Sequence, residues 1–265
     1  MMITSSSNDR VKYVRKLQAQ KSFRHEDRCL VLEGVRLVEE IARASLVPTL
    51  VFYTEALAED ARGKAILTTL RGLEAPCIPV SESVMEDCSA TVTPQGILAV
   101  LPFPDLDPPH PPTFVLIIDR LRDPGNLGTL LRTALAAGVE YVLLTPGTVD
   151  FSNPKVVRAA MGAHLWVPIQ DADWDTIADV VSECAVWVAA AGGAKVYTEV
   201  SWARPAALIV GSEAHGAGDQ ARSLAEGRIS IPISPLVDSL NAAVAGAVIL
   251  FEAVRQRSLL GADAA

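Results

Sequence analysis

Polar residues follow three apolar stretches of this sequence, at positions where strand packing does not require them. The stretches are TFVLII, ALIVG and ISI, and each is short enough to be a single strand. Ligands of open α/β sheets bind beyond the carboxyl ends of the strands, where such residues would meet. Several polar side chains at one end of a sheet therefore indicate a catalytic or binding site. The candidate catalytic residues are Asn126, Arg132, Glu213, Ser239 and Asn241.

The first of these stretches predicts a buried strand, a turn and a helix. TFVLII (113–118) is continuous and rich in β-branched residues, as in a strand covered on both faces. Asn126 ends the predicted turn and is the predicted N-cap of the helix, which stops at Gly138. The apolar spacing places Arg132 about 120° from the buried stripe, so its side chain is expected over the loop end of the sheet. A capping asparagine and an off-stripe arginine also occur in helices without catalytic function. The predicted stripe consists of Leu127, Leu130, Leu131, Ala134 and Leu135.

Several other chemistries fit the sequence poorly. The four cysteines lack CxxC or Cys/His spacing, so the sequence predicts neither a disulfide framework nor a metal site. The glycines of GSEAHGAG do not open a helix directly after a strand, and no GK[ST] follows them. No serine lies in a G-x-S-x-G elbow. These absences disfavour dinucleotide binding, P-loop chemistry and acyl transfer.

The chain is predicted to form two α/β domains. Its 265 residues are enough for two hydrophobic cores, and half of them are hydrophobic. Six prolines fall within residues 102–112, a density typical of a stiff extended spacer. We therefore expect a small α/β domain at 1–101, a linker at 102–112 and a second α/β domain at 113–265.

Charge is unevenly distributed along the chain. The formal net charge is −8, yet residues 1–30 contain seven Lys or Arg against three acidic residues, a local excess of +4. Such asymmetry indicates a contact with a polyanion, although a solvated first helix would explain it equally well. The longest apolar run is too short for a membrane span. No charged n-region followed by an apolar h-region opens the sequence, so a cytoplasmic location is expected.

Three long segments resemble a known family. DPGNLGTLLRTALAAG, LIVGSEAHGAG and IPISPLVDSLNAAVAGAVILFEAV are similar, in this order, to the signature motifs of the SpoU (TrmH) class of RNA 2′-O-ribose methyltransferases. SSSNDRVKYVRKL, LVLEGVRLVEEI and TVTPQGILAV are similar to the substrate-binding domain of its ribosomal RNA members. The resemblance implies a parallel-sheet SPOUT domain with a deep trefoil knot at 113–265 and an RNA-binding domain at 1–101. It also implies a homodimer and S-adenosylmethionine as cofactor, and the cysteine and histidine spacing predicts no metal.

The same resemblance assigns roles to residues. It implies that the cofactor contacts Gly211, Ile231, Pro232 and Leu240. Hydrogen bonds would hold Arg132 and the target ribose in place, and the residues expected to form them are Asn126, Glu213, Ser239 and Asn241. For Arg132 the resemblance implies either the general base or the group that activates the hydroxyl together with the target phosphate. Because a guanidinium does not lose its proton near neutrality, we expect Arg132 to clamp the phosphate and orient the hydroxyl, with the general base left open. Two departures from the family are Ala243 and Ala160, where a serine is common.

The expected substrate is RNA, with 23S ribosomal RNA favoured over transfer RNA. A non-catalytic RNA-binding assembly factor is a further alternative, and a nucleotide-dependent oxidoreductase is disfavoured by the missing fingerprint. The residues expected to contact RNA phosphates are Lys12, Arg15, Lys16, Arg24, Arg122, Lys155 and Arg158.

Overall fold

The computed structural model of the chain describes residues 2–262. Contacts within it define two compact units. The first unit contains the residues up to Asp105 together with Asp150–Leu165, and the second contains Leu106–Val149 together with the residues from Trp166 onward. Within the described residues, no helix is long and apolar enough to cross a membrane.

The first unit is a four-stranded sheet with helices on its faces. Its strands lie in the order β1-β4-β2-β3; β4 is antiparallel to β1 and β2, and β3 is parallel to β2. Buried apolar residues of both sheet faces pack against helices, which gives the unit two core layers. The elements up to residue 102 are α1 (Asp9–Ala19), α2 (Lys21–Glu26), β1 (Cys29–Glu33), α3 (Val35–Arg43), β2 (Leu50–Tyr53), α4 (Glu55–Glu59), α5 (Ala61–Gly72), β3 (Cys77–Pro79), α6 (Glu82–Cys88) and β4 (Ile97–Pro102).

The remaining elements begin after the proline-rich segment. They are β5 (Phe114–Asp119), α7 (Pro124–Ala136), β6 (Tyr141–Leu144), α8 (Pro154–Ala160), β7 (Ile169–Asp171), α9 (Trp174–Val180), β8 (Ala185–Ala189), β9 (Lys195–Val196), β10 (Ala206–Gly211), α10 (Asp219–Leu224), β11 (Gly227–Ser230) and α11 (Ala242–Ala262). All of them except α8 belong to the second unit.

The second unit is built on a seven-stranded parallel sheet. Its strand order is β7-β6-β5-β10-β8-β11-β9, and all neighbouring strands are parallel. β5 and β10 are buried along their whole length, which accounts for their uninterrupted apolar sequences. Asp119 pairs with Gly211 at the last register position, so the loops after these two strands start side by side. The predicted α/β fold with a parallel sheet is confirmed.

Helix α8 differs from the prediction, which grouped it with the second domain. It packs on β1, and Val157 and Leu165 belong to the core of the first unit. The segment Asp150–Leu165 therefore extends the first unit, although it follows β6 in the chain. Local apolar spacing made a helix predictable there, but it could not identify the surface against which the helix packs.

The start of α7 also differs from the prediction. Asp123, not Asn126, is the N-cap, and its Oδ1 accepts a hydrogen bond of 2.7 Å from the Asn126 backbone N–H. Pro124 occupies the first helical position, which suits proline because the missing N–H would be unpaired there. The side chain of Asn126 is consequently free for other contacts. Leu135, predicted in the buried stripe, is 37% exposed.

Candidate active site

Three of the candidate catalytic residues are joined by side-chain hydrogen bonds. Asn126, in the first turn of α7, donates from Nδ2 to Glu213 Oε1 at 3.0 Å. Its Oδ1 accepts a hydrogen bond of 2.9 Å from Asn241 Nδ2. The amide of Asn126 thus connects the loop after β10 with the start of α11.

Glu213 lies in a tight loop after β10. Ser212 and Gly216 pair through two backbone hydrogen bonds, which place Glu213 at the turn between them. Its carboxylate also accepts from the backbone N–H of Asp123 at 3.2 Å and of Arg122 at 3.4 Å. Burial raises the pKa of this carboxyl, but the hydrogen bonds from Asn126 and the two backbone amides outweigh burial and hold the pKa below its ordinary value. Glu213 is therefore an ionised acceptor at neutral pH.

Asn241 is held by the helix that follows it. Its Oδ1 accepts from the backbone N–H of Ala243 at 2.9 Å and of Val244 at 3.2 Å, so the side chain is the N-cap of α11. Both ends of its amide are used, one for the helix and one for Asn126. The cap therefore fixes the orientation of Asn241.

A cavity of about 400 Å³ opens beside this chain of hydrogen bonds. It lies beyond the carboxyl ends of the parallel strands, and its volume falls in the range of small-molecule sites, about 300–1,000 Å³. Most of its lining is apolar side chain and backbone, with Ala189 and Val210 on its strand side. The candidate residues that line it are Gly211, Glu213, Ile231, Ser239, Leu240 and Asn241. Pro232 is exposed next to Ile231 and does not line the cavity.

Arg132 is on the exposed side of α7. Among residues 2–262 it has no hydrogen-bond or ion-pair partner, so its guanidinium is free for a ligand. Ser239 lines the cavity but also has no hydrogen-bond partner in the described part of the chain. Their roles stay predictions.

One residue that positions the site is absent from the sequence-based candidates. Asp119, at the end of β5, is 1% exposed. Its carboxylate accepts from the Gly218 backbone N–H at 2.7 Å and from Thr145 Oγ1 at 3.0 Å, and it pairs with Arg120. Asp119 thereby connects Gly218, the last residue of GSEAHGAG, to the ends of β5 and β6. An acidic residue at the end of an otherwise apolar strand was the available signal.

The residues predicted to contact RNA divide into exposed and buried ones. Lys12, Arg15 and Lys16 are exposed on α1, and Arg122 and Lys155 are exposed as well, while Arg158 is half-buried.

Arg24 was predicted wrongly as an RNA contact. It is 3% exposed and forms an ion pair of 2.5 Å with Asp150 within the first unit. It also donates to Ser152 Oγ at 3.1 Å and to the Leu17 carbonyl at 2.8 Å. These acceptors compensate its desolvation, so Arg24 is a structural residue.

Potential metal ligands are scattered through the described part of the chain. Within 2–262, no three or more His, Cys, Asp and Glu side chains lie together in an arrangement suited to a metal ion.

The pH dependence of the Glu213 contacts is testable. Because its pKa is lowered in the folded protein, the ionised carboxylate stabilises the fold above the ordinary pKa of 4.5, and this contribution is lost as the pH falls through the folded value. We expect Glu213→Gln to lower the melting temperature at pH 7 and to lower kcat about tenfold, because glutamine has one acceptor oxygen where both carboxylate oxygens of Glu213 accept hydrogen bonds. The difference in melting temperature between the wild type and Glu213→Gln should become smaller below pH 4.5. A gap independent of pH would show that the carboxylate charge is not involved.

Taken together, the fold and the cavity define an α/β protein with a small-molecule site at the carboxyl edge of a parallel sheet, with a second α/β unit attached. Residues 113–251 match the SpoU rRNA Methylase family, and residues 8–99 match the MRM3-like substrate binding domain. This chain belongs to the SpoU rRNA methylase family, and the family and enzyme class predicted from the motifs are confirmed.

Curated relatives extend over most of the chain. The 23S rRNA (guanosine(2553)-2′-O)-methyltransferase RlmP of Bacillus subtilis is 34% identical and covers 94% of this chain and 97% of its own length. The mitochondrial rRNA methyltransferase 3 of Homo sapiens is 33% identical over 93% of this chain and 72% of its own length.

A solved structure agrees with this fold. The AdoMet-bound rRNA methyltransferase from Sinorhizobium meliloti superposes with a TM-score of 0.82 at 28% identity, over 96% of this chain and 97% of its own. The cofactor predicted from the motifs is the one bound in that structure.

Proposed function

We propose that this enzyme transfers a methyl group from S-adenosylmethionine to a ribose 2′-hydroxyl of ribosomal RNA, with 23S ribosomal RNA as the favoured substrate. The observation that carries the proposal is the hydrogen-bonded chain Glu213–Asn126–Asn241 beside the cavity. It joins one residue from each of the three segments that resemble the family motifs. The relatives named for 23S and mitochondrial ribosomal RNA support the substrate class.

The cavity suits the cofactor. Its apolar and backbone lining near Gly211, Ile231 and Leu240 offers hydrogen bonds and packing for an adenosine group without a charged side chain. Pro232 would fix the backbone next to Ile231. When bound, S-adenosylmethionine supplies an electrophilic methyl group on a sulfonium.

Residues of the cavity wall and of helix α7 would then position the ribose. A 2′-hydroxyl is a weak nucleophile, so its oxygen must lose a proton as the new C–O bond forms and the C–S bond breaks. Arg132 clamps the phosphate next to the target ribose and orients the hydroxyl, because its guanidinium stays protonated. Ser239 contributes a hydroxyl at the cavity wall. Asn126, Glu213 and Asn241 keep the three loops in register by their mutual hydrogen bonds.

The N-terminal unit would select the RNA. Lys12, Arg15 and Lys16 present three cationic groups on α1, and Lys155, Arg158 and Arg122 provide further phosphate contacts in the two units.

We expect charge reversal of Lys12, Arg15 and Lys16 together to raise KM for RNA at least tenfold, because removing cations that neutralise phosphates weakens binding and lowers its salt dependence. Isothermal titration with S-adenosylhomocysteine should give an unchanged Kd. If the affinities for RNA and for S-adenosylhomocysteine fell equally, the variant would be misfolded, and the result would contradict an RNA-binding role of these three residues.

Three finer features belong to the same proposal. A second copy of this chain would cover the apolar side chains of α7 and α11, since Leu135, Val244 and Phe251 are exposed on two helices that pack together. A deep trefoil knot in the second unit, which the family resemblance of the motifs implies, is the second of these features. A cytoplasmic location, the third feature, stays a prediction. For the first feature, sedimentation equilibrium would show whether two copies of the chain associate.

The activity is tested with radiolabelled S-adenosylmethionine. The purified enzyme would be incubated with ribosomal RNA and transfer RNA from a strain that lacks it, followed by alkaline hydrolysis. Label in alkali-resistant dinucleotides of ribosomal RNA is the expected result. Label only in transfer RNA would change the substrate class, and label elsewhere on the nucleoside would refute ribose chemistry. Cofactor binding without any label would favour a non-catalytic RNA-binding factor.

A further inference from the structure

A second cleft, of about 640 Å³, lies within the first unit. It opens between the end of β1, the start of α3, the loop before β4 and helix α8. None of the candidate catalytic residues lines it. Its volume is within the range of small-molecule sites, about 300–1,000 Å³, and exceeds what one inorganic phosphate would fill.

Two arginines of this cleft form no ion-pair contact among residues 2–262, although the charge of Arg36 acts on Glu39 one turn further along α3. Arg36 is exposed in the first turn of α3. Arg158 on α8 is half-buried, and its Nη1 atom is buried without a hydrogen-bond partner. By contrast, Arg62, which also lines the cleft, pairs with Glu39 at 2.5 Å. A buried guanidinium nitrogen without an acceptor is costly, so Arg158 is a cation available to pair with an anion in the cleft that it lines.

The start of α3 favours an anion at the same place. Gly34, its N-cap, has no side chain to cap the helix and a φ of 102°. Gln95 Oε1 accepts from the Val35 backbone N–H at 2.9 Å, and no other side-chain acceptor reaches this turn in the described residues. The free amides at a helix start attract phosphate groups.

The two carboxylates that line the cleft are already paired with donors. Glu33 accepts from the hydroxyl of Thr91 at 2.7 Å, from the backbone N–H of Ala90 at 2.9 Å and from the hydroxyl of Ser89. Asp60 caps α5 through the backbone N–H of Arg62 and Gly63. Their oxygens are therefore occupied by neutral donors, and neither carboxylate forms an ion pair with Arg36 or Arg158.

The loop before β4 adds an apolar surface to the rim. Val92 is fully exposed between Thr91 and Thr93, both of which line the cleft. The hydrogen bonds to Glu33 fix the loop at Ala90 and Thr91 and so hold Val92 in this exposed position. Sequence-specific RNA recognition commonly targets unpaired bases, whose flat faces are open to packing against a side chain.

We propose that this cleft binds an unpaired nucleotide of the RNA substrate. Its phosphate lies at the start of α3 between Arg36 and Arg158, and its base packs against the loop that carries Val92. This inference rests on the proposed RNA substrate, and it assigns to the first unit a specific contact in addition to the exposed cations of α1.

The test compares Arg36→Glu with Lys64→Glu. Both residues are exposed cations of the first unit, so the two variants carry the same charge change. Lys64 does not line the cleft and therefore controls for the general effect of charge on RNA binding. Fluorescence anisotropy would measure Kd for a single-stranded RNA and for the same strand in a duplex, over a series of salt concentrations. Arg158→Met is the second cleft variant, and circular dichroism would check its folding.

We expect Arg36→Glu to raise Kd for single-stranded RNA about tenfold more than Lys64→Glu does, and to reduce the salt slope by about one. Saturating RNA should restore kcat. If the two variants raised Kd equally, the cleft would not be an RNA-binding site. If Arg36→Glu raised Kd equally for single-stranded and duplex RNA, the cleft would not be specific for an unpaired nucleotide. Displacement of RNA by inorganic phosphate beyond its ionic-strength effect would identify a free-phosphate site instead.

The two proposals can fail separately. A wild-type enzyme that methylates RNA while Arg36→Glu behaves like Lys64→Glu would retain the proposed function without the cleft. A wild-type enzyme that binds RNA through Arg36 but transfers no methyl group would retain the cleft without the proposed function.

Discussion

Arg132→Ala is expected to reduce kcat about 10²–10³-fold, the usual cost of removing one group that stabilises charge in a transition state. Arg132 is exposed on α7 and has no partner among residues 2–262, so its removal breaks no internal contact. The melting temperature and the affinity for S-adenosylhomocysteine should therefore stay unchanged. Single-turnover methyl transfer to ribosomal RNA is the appropriate measurement, as it excludes product release.

Two further variants sharpen this prediction. Arg132→Lys keeps the charge but loses the planar fork, so we expect it to recover only a small part of the rate. Arg222→Ala removes another exposed arginine of the second unit, on α10, and should keep wild-type kcat within twofold. If Arg132→Ala retained more than a tenth of wild-type kcat, Arg132 would not act on the reacting groups.

Gly211→Ala should abolish cofactor binding and destabilise the second unit by about 3 kcal/mol. A Cβ on Gly211 would lie 2.1 Å from the Ala217 backbone nitrogen and 2.2 Å from the Gly216 carbonyl carbon. These are backbone atoms of the loop that carries Glu213. Gly211 cannot move away easily, because it pairs with Asp119 at the end of the β5–β10 ladder.

The matched control for this variant is Gly72→Ala at the end of α5, where a Cβ would meet no atom within 4 Å. It should change stability by less than about 1 kcal/mol. Urea denaturation measures the stability, and calorimetric titration with S-adenosylhomocysteine measures the affinity. A Gly211→Ala protein that binds the cofactor with wild-type Kd would contradict the role of this close approach.

Local patterns predicted the elements of the second unit well because each pattern depends on neighbouring residues. TFVLII predicted the buried strand β5, and the apolar spacing after Asn126 predicted α7. The cap was assigned to the wrong residue, since Asp123 and Asn126 are both good caps and Pro124 decides between them. Leu135 fits the stripe by spacing, yet no element among residues 2–262 covers it fully.

Burial of charged residues could not be predicted in this way. Arg24 lies in a basic segment, and its sequence neighbours give no sign of the carboxylate of Asp150, 126 residues later, with which it pairs. Asp119 ends an apolar strand, but the Gly218 amide that makes it a positioning residue is 99 residues away. In both cases the compensating partner comes from a distant segment.

The sequence by itself determined the family, the alternation of strands and helices, and the three polar segments, because motif identity and apolar period are local properties of the chain. The tertiary structure alone decided that Asn126 meets Glu213 and Asn241, which are 87 and 115 residues distant, and that α8 packs on the first unit. Strand order and register set these contacts. They depend on how remote apolar faces pack together, and no single segment encodes that packing.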